Sequence, residues 1–499
     1  MNVRITAQDP LRLPCDWLLV GIADGDVPEM FDNALGGLLR ELVERGEFDP
    51  NGREVTVVHP RGAIPARRLL VVPMGRERTA EAVRRAVALG GRKAKRLGGG
   101  HVVIAPLQEI ADADAASAYA QAVAEGLFVG TYEFESFRRK QEGRGGPLTD
   151  VDLLVAQEDQ VAGAETGLAW GRAVAEGVNL ARTLVNEPAN VATPARLAGV
   201  AEEIASAAGH IRCRVLDEKA AAQEGMGAFL GVARGSDNPP AFIVLEHRLD
   251  EFPDTKPVVL VGKAITFDSG GYNIKPSQGL WKMKSDMSGG AAVLGTFDAL
   301  ARLEVSLPVV GLVPAAENLV SGHAYRPGDI LHSLSGQTIE IQNTDAEGRL
   351  ILADALAYAE RYGPRALVDM ATLTGAMMVA LGYSLTGYFC NDDDLAAQLE
   401  AAAERAGEPI WRMPLWDEYD AYLESKVADM RNVGIRWGGA ITAALFLRRF
   451  VGSYPWAHLD IAGTAFADSD RKPPPPLTPY GATGVPVRTL MEWLRALAA

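Results

Sequence analysis

Two short stretches of the chain hold most of the side chains that could do chemistry. The first, from Val261 to Gly271, carries Lys263 and Asp268, with Lys275 and Asp286 close behind; the second, Asn343-Thr344-Asp345-Ala346-Glu347-Gly348-Arg349-Leu350, carries two acids and an arginine. Four carboxylates gathered in one pocket repel by up to ~4 kcal/mol per pair at about 4 Å, for an effective dielectric near 20, unless protons or cations neutralise them. Divalent metal is the natural remedy. Carboxylate oxygens are hard ligands and a deprotonated lysine adds a nitrogen, a set that accepts Zn, Mn, Co or Mg without selecting one. No His-Glu-x-x-His occurs, and His458, inside an apolar run, reads as a core histidine. A metal site in this chain must therefore be built from acids.

The flanking patterns say which elements must position these groups. Gln337 to Gln342 alternates like a strand, and if Asp345 and Glu347 continue it in extended form, their side chains fall on one side. Leu350 to Ala359 is rich in helix formers and apolar on nearly every face, which predicts a buried helix closed by Gly363 and Pro364. Upstream, Val258 to Val261 predicts a buried parallel strand, with a turn at Gly270 and Gly271. Lys263 and Asp268 then sit where strands of an α/β sheet end, the usual place for a ligand. Asp354, alone in the apolar helix, reads as a hydrogen-bonding or partly exposed residue rather than a fifth ligand.

The octapeptide Asn343 to Leu350, together with the Val261 to Gly271 segment, resembles the leucyl aminopeptidase (cytosol aminopeptidase) family, whose signature it reproduces without a change. Further likeness lies in Leu184 to Asn190, Asp369 to Ala376, Gly439 to Ala444 and Trp456 to Gly463, and covers roughly residues 165 to 499. The resemblance implies a two-metal exopeptidase with Lys263, Asp268, Asp286, Asp345 and Glu347 as metal ligands, Asp268 and Glu347 bridging. It implies a bridging hydroxide as nucleophile, Lys275 as the electrophile facing the oxyanion, and Arg349 holding a bicarbonate ion that serves as general base. It further implies that the substrate's free N-terminal amine ligates a metal. Met283, Asn343, Thr372, Gly375 and Ala462 match the family's substrate pocket and would admit leucine or another neutral side chain. A ligand lysine must lose its proton, which desolvation and neighbouring cations favour. Ala264, Tyr272-Asn273 and Ser288-Gly289-Gly290 depart from the usual family pattern but keep its spacing.

At 499 residues the chain is long enough for two or three domains, and a 48% hydrophobic fraction supplies a full core. Alternating strands (Trp17 to Ile22, Val55 to Val58, Leu69 to Val72, Val102 to Ala105, Val151 to Val155) and helices (around 29 to 46, 79 to 97 and 113 to 128) predict a small N-terminal α/β domain over 1–160. It holds no catalytic constellation, so assembly or regulation is its expected role. The run Gln141 to Pro147 is the most loop-like, and a connecting helix at about 162–184 leads into a larger α/β catalytic domain, 161–499, with a central mixed sheet flanked by helices. A net charge of -15 argues against nucleic acid or anionic membrane as a partner. The basic stretch Arg76, Arg78, Arg84, Arg85, Arg92, Lys93, Lys95 and Arg96 reads as a solvated helix face, diluted by Glu77 and Glu81. Three scattered cysteines fit a reducing compartment, and no apolar run reaches the length of a membrane span, so a cytoplasmic protein is expected. The family resemblance adds peptides as substrates and a homohexamer as the assembly. A nucleic-acid-binding scaffold and a catalytically weak relative are the alternatives weighed against this reading.

Overall fold

The computed structural model describes residues 1–139, 145–468 and 472–498, and the loop-like run at 141–147 lies in part outside them. The chain divides into two compact units, one made of residues 1–176 with 473–479, the other of 177–472 with 480–499. The cut falls inside a single 26-residue helix, Val161–Asn186.

The first unit has a six-stranded sheet from β1 (Asn2–Thr6), β2 (Trp17–Ala23), β3 (Thr56–Val58), β4 (Leu69–Gly75), β5 (Gly100–Ile104) and β6 (Leu148–Leu154), in the order β1-β6-β5-β2-β4-β3. Its central strand β2 is buried at every position, as a strand with both faces covered must be. The basic stretch is not a uniformly solvated face, and that expectation needs correction. Arg84 is buried with its guanidinium 2.6 Å from buried Glu125, Arg92 donates to the Gly130 carbonyl, and Arg78 pairs with Asp26. Arginine stems cover apolar surface while their heads find partners, so these cations hold helix Ala80–Arg96 to its neighbours.

The second unit is built on a nine-stranded mixed sheet. Its strands are β7 (Ile211–Leu216), β8 (Ala241–His247), β9 (Val258–Gly262), β10 (Ala264–Asp268), β11 (Val309–Asn318), β14 (Ala366–Ala371), β15 (Thr386–Cys390), β16 (Ile410–Arg412) and β18 (Trp456–Asp460). The order is β16-β15-β18-β14-β9-β11-β8-β7, with β10 also paired to β11. A small sheet of β12 (Ile330–His332), β13 (Thr338–Glu340) and β17 (Met430–Arg431) stands apart from it. β9 lies parallel between β11 and β14 and is fully buried, as its valine run predicts.

The apolar helix Gly348–Ala359 is buried nearly throughout and packs in a cluster with Val259, Val261, Leu312, Phe446 and Trp456. Each such large side chain taken from water contributes about 2 kcal/mol. Beneath β9, glycine decides how closely the chain can approach: a Cβ on Gly289 would lie 2.1 Å from the Met370 carbonyl oxygen. The absence of side chains there lets the start of helix Ser288–Leu300 dock on the end of β9, where Gly290 N–H donates to the Lys263 carbonyl at 2.7 Å. Lys263 and Asp286 thereby become neighbours. Among the described residues no helix is long and apolar enough to cross a membrane, and Cys15, Cys213 and Cys390 are free thiols.

Candidate active site

Lys263 occupies the single-residue break between β9 and β10, where its N–H donates to the Met370 carbonyl. Its side chain is buried, with Nζ 2.7 Å from Asp286 Oδ2, 2.8 Å from Glu347 Oε1 and 3.1 Å from the Thr372 carbonyl oxygen. Asp268 closes β10; its Oδ1 accepts from Gly270 N–H and from Asn318 Nδ2, both at 2.8 Å, and its Oδ2 lies 2.8 Å from Lys275 Nζ. Lys275 also reaches Asp345 Oδ1 at 2.5 Å. All six charged groups singled out in the two stretches, Arg349 apart, thus form one connected cluster.

Asp345 and Glu347 do not continue a strand. The small-sheet strand β13 ends at Glu340, residues 344–345 form a turn, and Glu347 already has helical dihedrals as the cap of Gly348–Ala359. The extended-strand expectation fails because side chains capture the backbone first: Asp345 N–H donates to Asn343 Oδ1, and Thr344 is tied through N–H and hydroxyl to Asn273 Oδ1. The two acids still converge, by a turn rather than by strand alternation.

Three asparagines hold this loop, two of which, Asn318 and Asn432, the sequence did not single out. Besides Asn273, Asn318 donates to the Thr344 carbonyl, and Asn432 accepts from Gln342 and Asn343 N–H while donating to the Asn343 carbonyl. Asn318 could have been suspected from its place at the C-terminal end of a buried strand, the position that drew attention to Asp268. Nothing local to Asn432 marks it. Its carbonyl accepts from Arg349 Nη1 at 2.9 Å, while Arg349 Nε is buried without a partner.

The charge balance is unfavourable as it stands. With all four carboxylates ionised, they face two ammonium groups with an excess of two negative charges in a largely buried pocket. Burial raises Asp268 to about 6 and Asp286 well above the ordinary carboxylate value, against the pull of the lysines. Burial also raises Glu347, yet Lys263 and Lys275 hold it below its usual range. Lys263, which burial alone would drive down, is held protonated by Asp286, Glu347 and Asp268. Only added cations would reverse that balance and free its amine. Oxygens of Asp268, Asp286 and Glu347 lie within 4.8 Å of one another, and Glu347 Oε2 and Asn318 Oδ1 are buried without hydrogen-bond partners. An uncompensated buried oxygen costs about 1–3 kcal/mol, so the donor set fits divalent cations.

Of the expected substrate residues, one makes direct contact with this cluster and the others are placed by their elements. Thr372 touches it directly, its hydroxyl 2.8 Å from Asp286 Oδ1. Met283 lies in the short 3-10 turn Leu280–Ser285 that leads into Asp286, and Asn343 backs Asp345. Gly375 begins helix Gly375–Leu381, and Ala462 follows β18. Two other groups prove structural. Asp354 is fully buried, not partly exposed, and accepts from Phe229 and Leu334 N–H. His458 is a buried core histidine 2.6 Å from Asp369 and stacked on Phe389.

Against known proteins, residues 179–491 match the model of the cytosol aminopeptidase family catalytic domain and residues 22–141 that of the family's N-terminal domain. The chain belongs to the cytosol aminopeptidase family. It is 45% identical to a probable cytosol aminopeptidase of Roseiflexus castenholzii, over 99% of both chains, and 44% identical to one of Geobacter sulfurreducens with the same coverage. Among solved structures, a mutant tomato leucine aminopeptidase superposes with a TM-score of 0.88 at 35% identity, covering 99% of this chain and 96% of that one. The bottromycin maturation enzyme BotP in complex with Mn gives 0.84 at 38% identity, covering 97% and 100%. As a member of this family, the chain is a metal-dependent aminopeptidase, consistent with peptides as substrates.

Proposed function

We propose that this member of the family removes leucine, or another neutral residue, from the N-terminus of peptides at a two-metal site made by Lys263, Asp268, Asp286, Asp345 and Glu347. One observation carries the reading: four carboxylates and two lysines converge in a largely buried pocket where the acids outnumber the cations and carboxylate oxygen is left unpartnered. Two bound divalent ions would supply a polarised scissile carbonyl and a water acidic enough to attack it near neutral pH. Mn or Zn is the proposed pair, with Mg or Co as substitutes; the Mn in the BotP structure supports Mn.

The chain's own residues supply the rest. Lys275, its charge secured by Asp268 and Asp345, offers a fixed ammonium to the oxygen that becomes negative as the carbonyl is attacked. Its raised proton affinity, set by those acids against the effect of burial, keeps it a hydrogen-bond donor throughout. Arg349 is the residue fitted to hold a bicarbonate, whose chemistry is that of a general base: burial lowers its proton affinity only to about 10, and Nε is free to donate. Met283, Asn343, Thr372, Gly375 and Ala462 are proposed to line the space for the departing residue's side chain. Residues 161–499 form the proposed catalytic domain, and 1–160 serve assembly or regulation. A homohexamer in the cytoplasm completes the proposal, and light scattering that reports only monomer counts against that assembly.

The test is release of leucine from a leucyl anilide by the purified protein, first chelated, then given Mn or Zn, beside Asp345→Ala. Activity lost on chelation, recovered with metal and absent in the variant is the expected result. A folded protein inactive with every metal and with a panel of N-terminal residues overturns the reading.

A further inference from the structure

Two of the segments proposed to line the substrate pocket, 372–375 and 461–463, meet at one buried carboxylate. Asp460 is the last residue of β18, 1% exposed, and both of its oxygens are fully engaged. Oδ1 accepts the backbone N–H of Leu373 at 3.2 Å, of Thr374 at 3.4 Å and of Ala462 at 3.2 Å; Oδ2 accepts the Thr374 hydroxyl at 2.6 Å. Both segments are chain leaving a strand end, Thr372 to Thr374 after β14 and Ile461 to Gly463 after β18, and those strands are parallel neighbours with Ala371 opposite Asp460. Ile461 N–H still donates to the Ala371 carbonyl at 2.8 Å, but past that bond the N–H groups of Leu373, Thr374 and Ala462 need other acceptors. Asp460 supplies one acceptor group to both.

The same carboxylate also governs the helix beyond the first segment. The Thr374 hydroxyl that donates to Asp460 also accepts Met377 N–H and so caps helix Gly375–Leu381. On the other side, Thr372 is one peptide away from the first bonded N–H, with its hydroxyl on Asp286 and its carbonyl on Lys263. Shifting residues 373–374 therefore moves a pocket wall and the start of a pocket helix together. Asp460 makes no hydrogen bond to any of the metal-binding acids among the described residues; the cationic groups that feel its charge are His458 and Arg349.

We infer that Asp460 is a positioning residue for substrate recognition, the shared anchor that fixes the 372–375 and 461–463 walls relative to each other. This rests on the proposed assignment of Thr372, Gly375 and Ala462 to the substrate pocket. An asparagine at 460 keeps the size and an acceptor at Oδ1 but turns Oδ2 into an N–H2 donor, so the Thr374 hydroxyl loses its acceptor and the three N–H bonds on Oδ1 lose the carboxylate charge that strengthens them. The walls then loosen while the metal-binding acids keep their own partners.

The experiment compares wild type, Asp460→Asn, Thr374→Val and Thr374→Ser with aminoacyl anilides bearing leucine, alanine and phenylalanine, and measures bound metal per subunit in each protein. Expected for Asp460→Asn is a rise in KM for the leucyl substrate of about tenfold or more and a smaller preference among the three residues, with metal content unchanged. Thr374→Val, which removes the hydroxyl bond to Asp460 together with the cap on Met377 N–H, should change KM in the same direction, and Thr374→Ser, which keeps both bonds, should restore wild-type values. A merely structural role would lower the active fraction, and hence kcat, without moving KM or residue preference. If Asp460→Asn does not fold, the threonine pair decides alone. Unchanged KM and preference in Asp460→Asn, or in Thr374→Val where Asp460→Asn is insoluble, overturn the inference while wild-type activity leaves the aminopeptidase reading standing. An inactive wild-type enzyme removes that reading instead, and this inference with it.

Discussion

Gly348→Ala is a one-carbon test of how tightly Lys263, the proposed lysine ligand, is held. Gly348 opens the buried helix with dihedrals open to any residue, so alanine meets no backbone strain and gains up to about 1 kcal/mol of helix preference. Space is the obstacle. The added Cβ would lie 2.4 Å from Lys263 Cε and 2.7 Å from both Cδ and Nζ, whereas ordinary contact begins at 3.4 Å. Lys263 must therefore give way by roughly 1 Å. An exposed lysine would do so freely, but this one is 3% exposed and fastened at Nζ by Asp286, Glu347 and the Thr372 carbonyl. Overpacking of this kind costs about 1–3 kcal/mol, offset in part by the helix gain, so the protein should fold with a Tm only a few degrees lower. A displacement of about 1 Å at a reacting centre can reduce turnover roughly 100-fold. The assay is kcat/KM for a leucyl anilide with saturating Mn, beside calorimetric titration of the chelated protein with Mn. Loss of about two orders of magnitude in kcat/KM, with weaker metal binding at one site, is expected. Activity within threefold of wild type, at full metal occupancy, would show that Lys263 Nζ has room to move and refute the argument from its confinement.

Two further expected outcomes concern groups away from the reacting centre. Burial raises Asp354 to about 7 against the backbone N–H groups of Phe229 and Leu334, which oppose the rise. The folded state thus retains a proton that the unfolded chain releases near 3.8; the stability tied to that proton is complete below about pH 4 and is lost as pH rises through 7. Asp354→Asn should therefore flatten the fall of Tm between pH 4 and 8, and a slope equal to that of wild type would contradict the assignment. In the N-terminal unit, Arg84→Met leaves buried Glu125 without its 2.6 Å partner and should cost about 3–5 kcal/mol in urea unfolding, with kcat unchanged per folded molecule. A loss under 1 kcal/mol would mean that Gln121, 2.8 Å from Glu125, suffices to hold it.

Much of the fold could be read from the chain because its signals are local. The valine run of β9 and the apolar helix after Gly348 are both found where periodicity and composition put them, since a fully buried element needs only apolar residues and a terminator. The N-terminal strands and helices obey the same rule. What stayed hidden depends on pairs far apart in sequence. Arg84 and Glu125 are 41 residues apart, and no helix pattern marks an arginine that will be buried. The turn at Thr344 depends on Asn273, 71 residues upstream, so extension from β13 was the natural local expectation and the wrong one. Acid spacing indicated a common site, and the cluster of Lys263, Lys275 and the four acids agrees with that grouping. Asn318 and Asn432 escaped notice because a neutral amide that anchors a loop looks, in sequence, like any other asparagine.

Those amides have a consequence for how the enzyme meets changing conditions. The loop bearing Asp345 and Glu347 is pinned by Asn273, Asn318 and Asn432, side chains with no proton to gain or lose across the ordinary pH range. Had aspartates or histidines made the same bonds, acid would unfasten the loop before it touched the chemistry. With neutral amides these three anchors do not themselves titrate, and the pH-sensitive contacts of the loop are confined to the charged groups it carries and meets, such as Asp268 beside Asn318. The vulnerability is transferred to time and heat: hydrolysis of any one of these three amides would place a new negative charge beside a pocket already overfull of them.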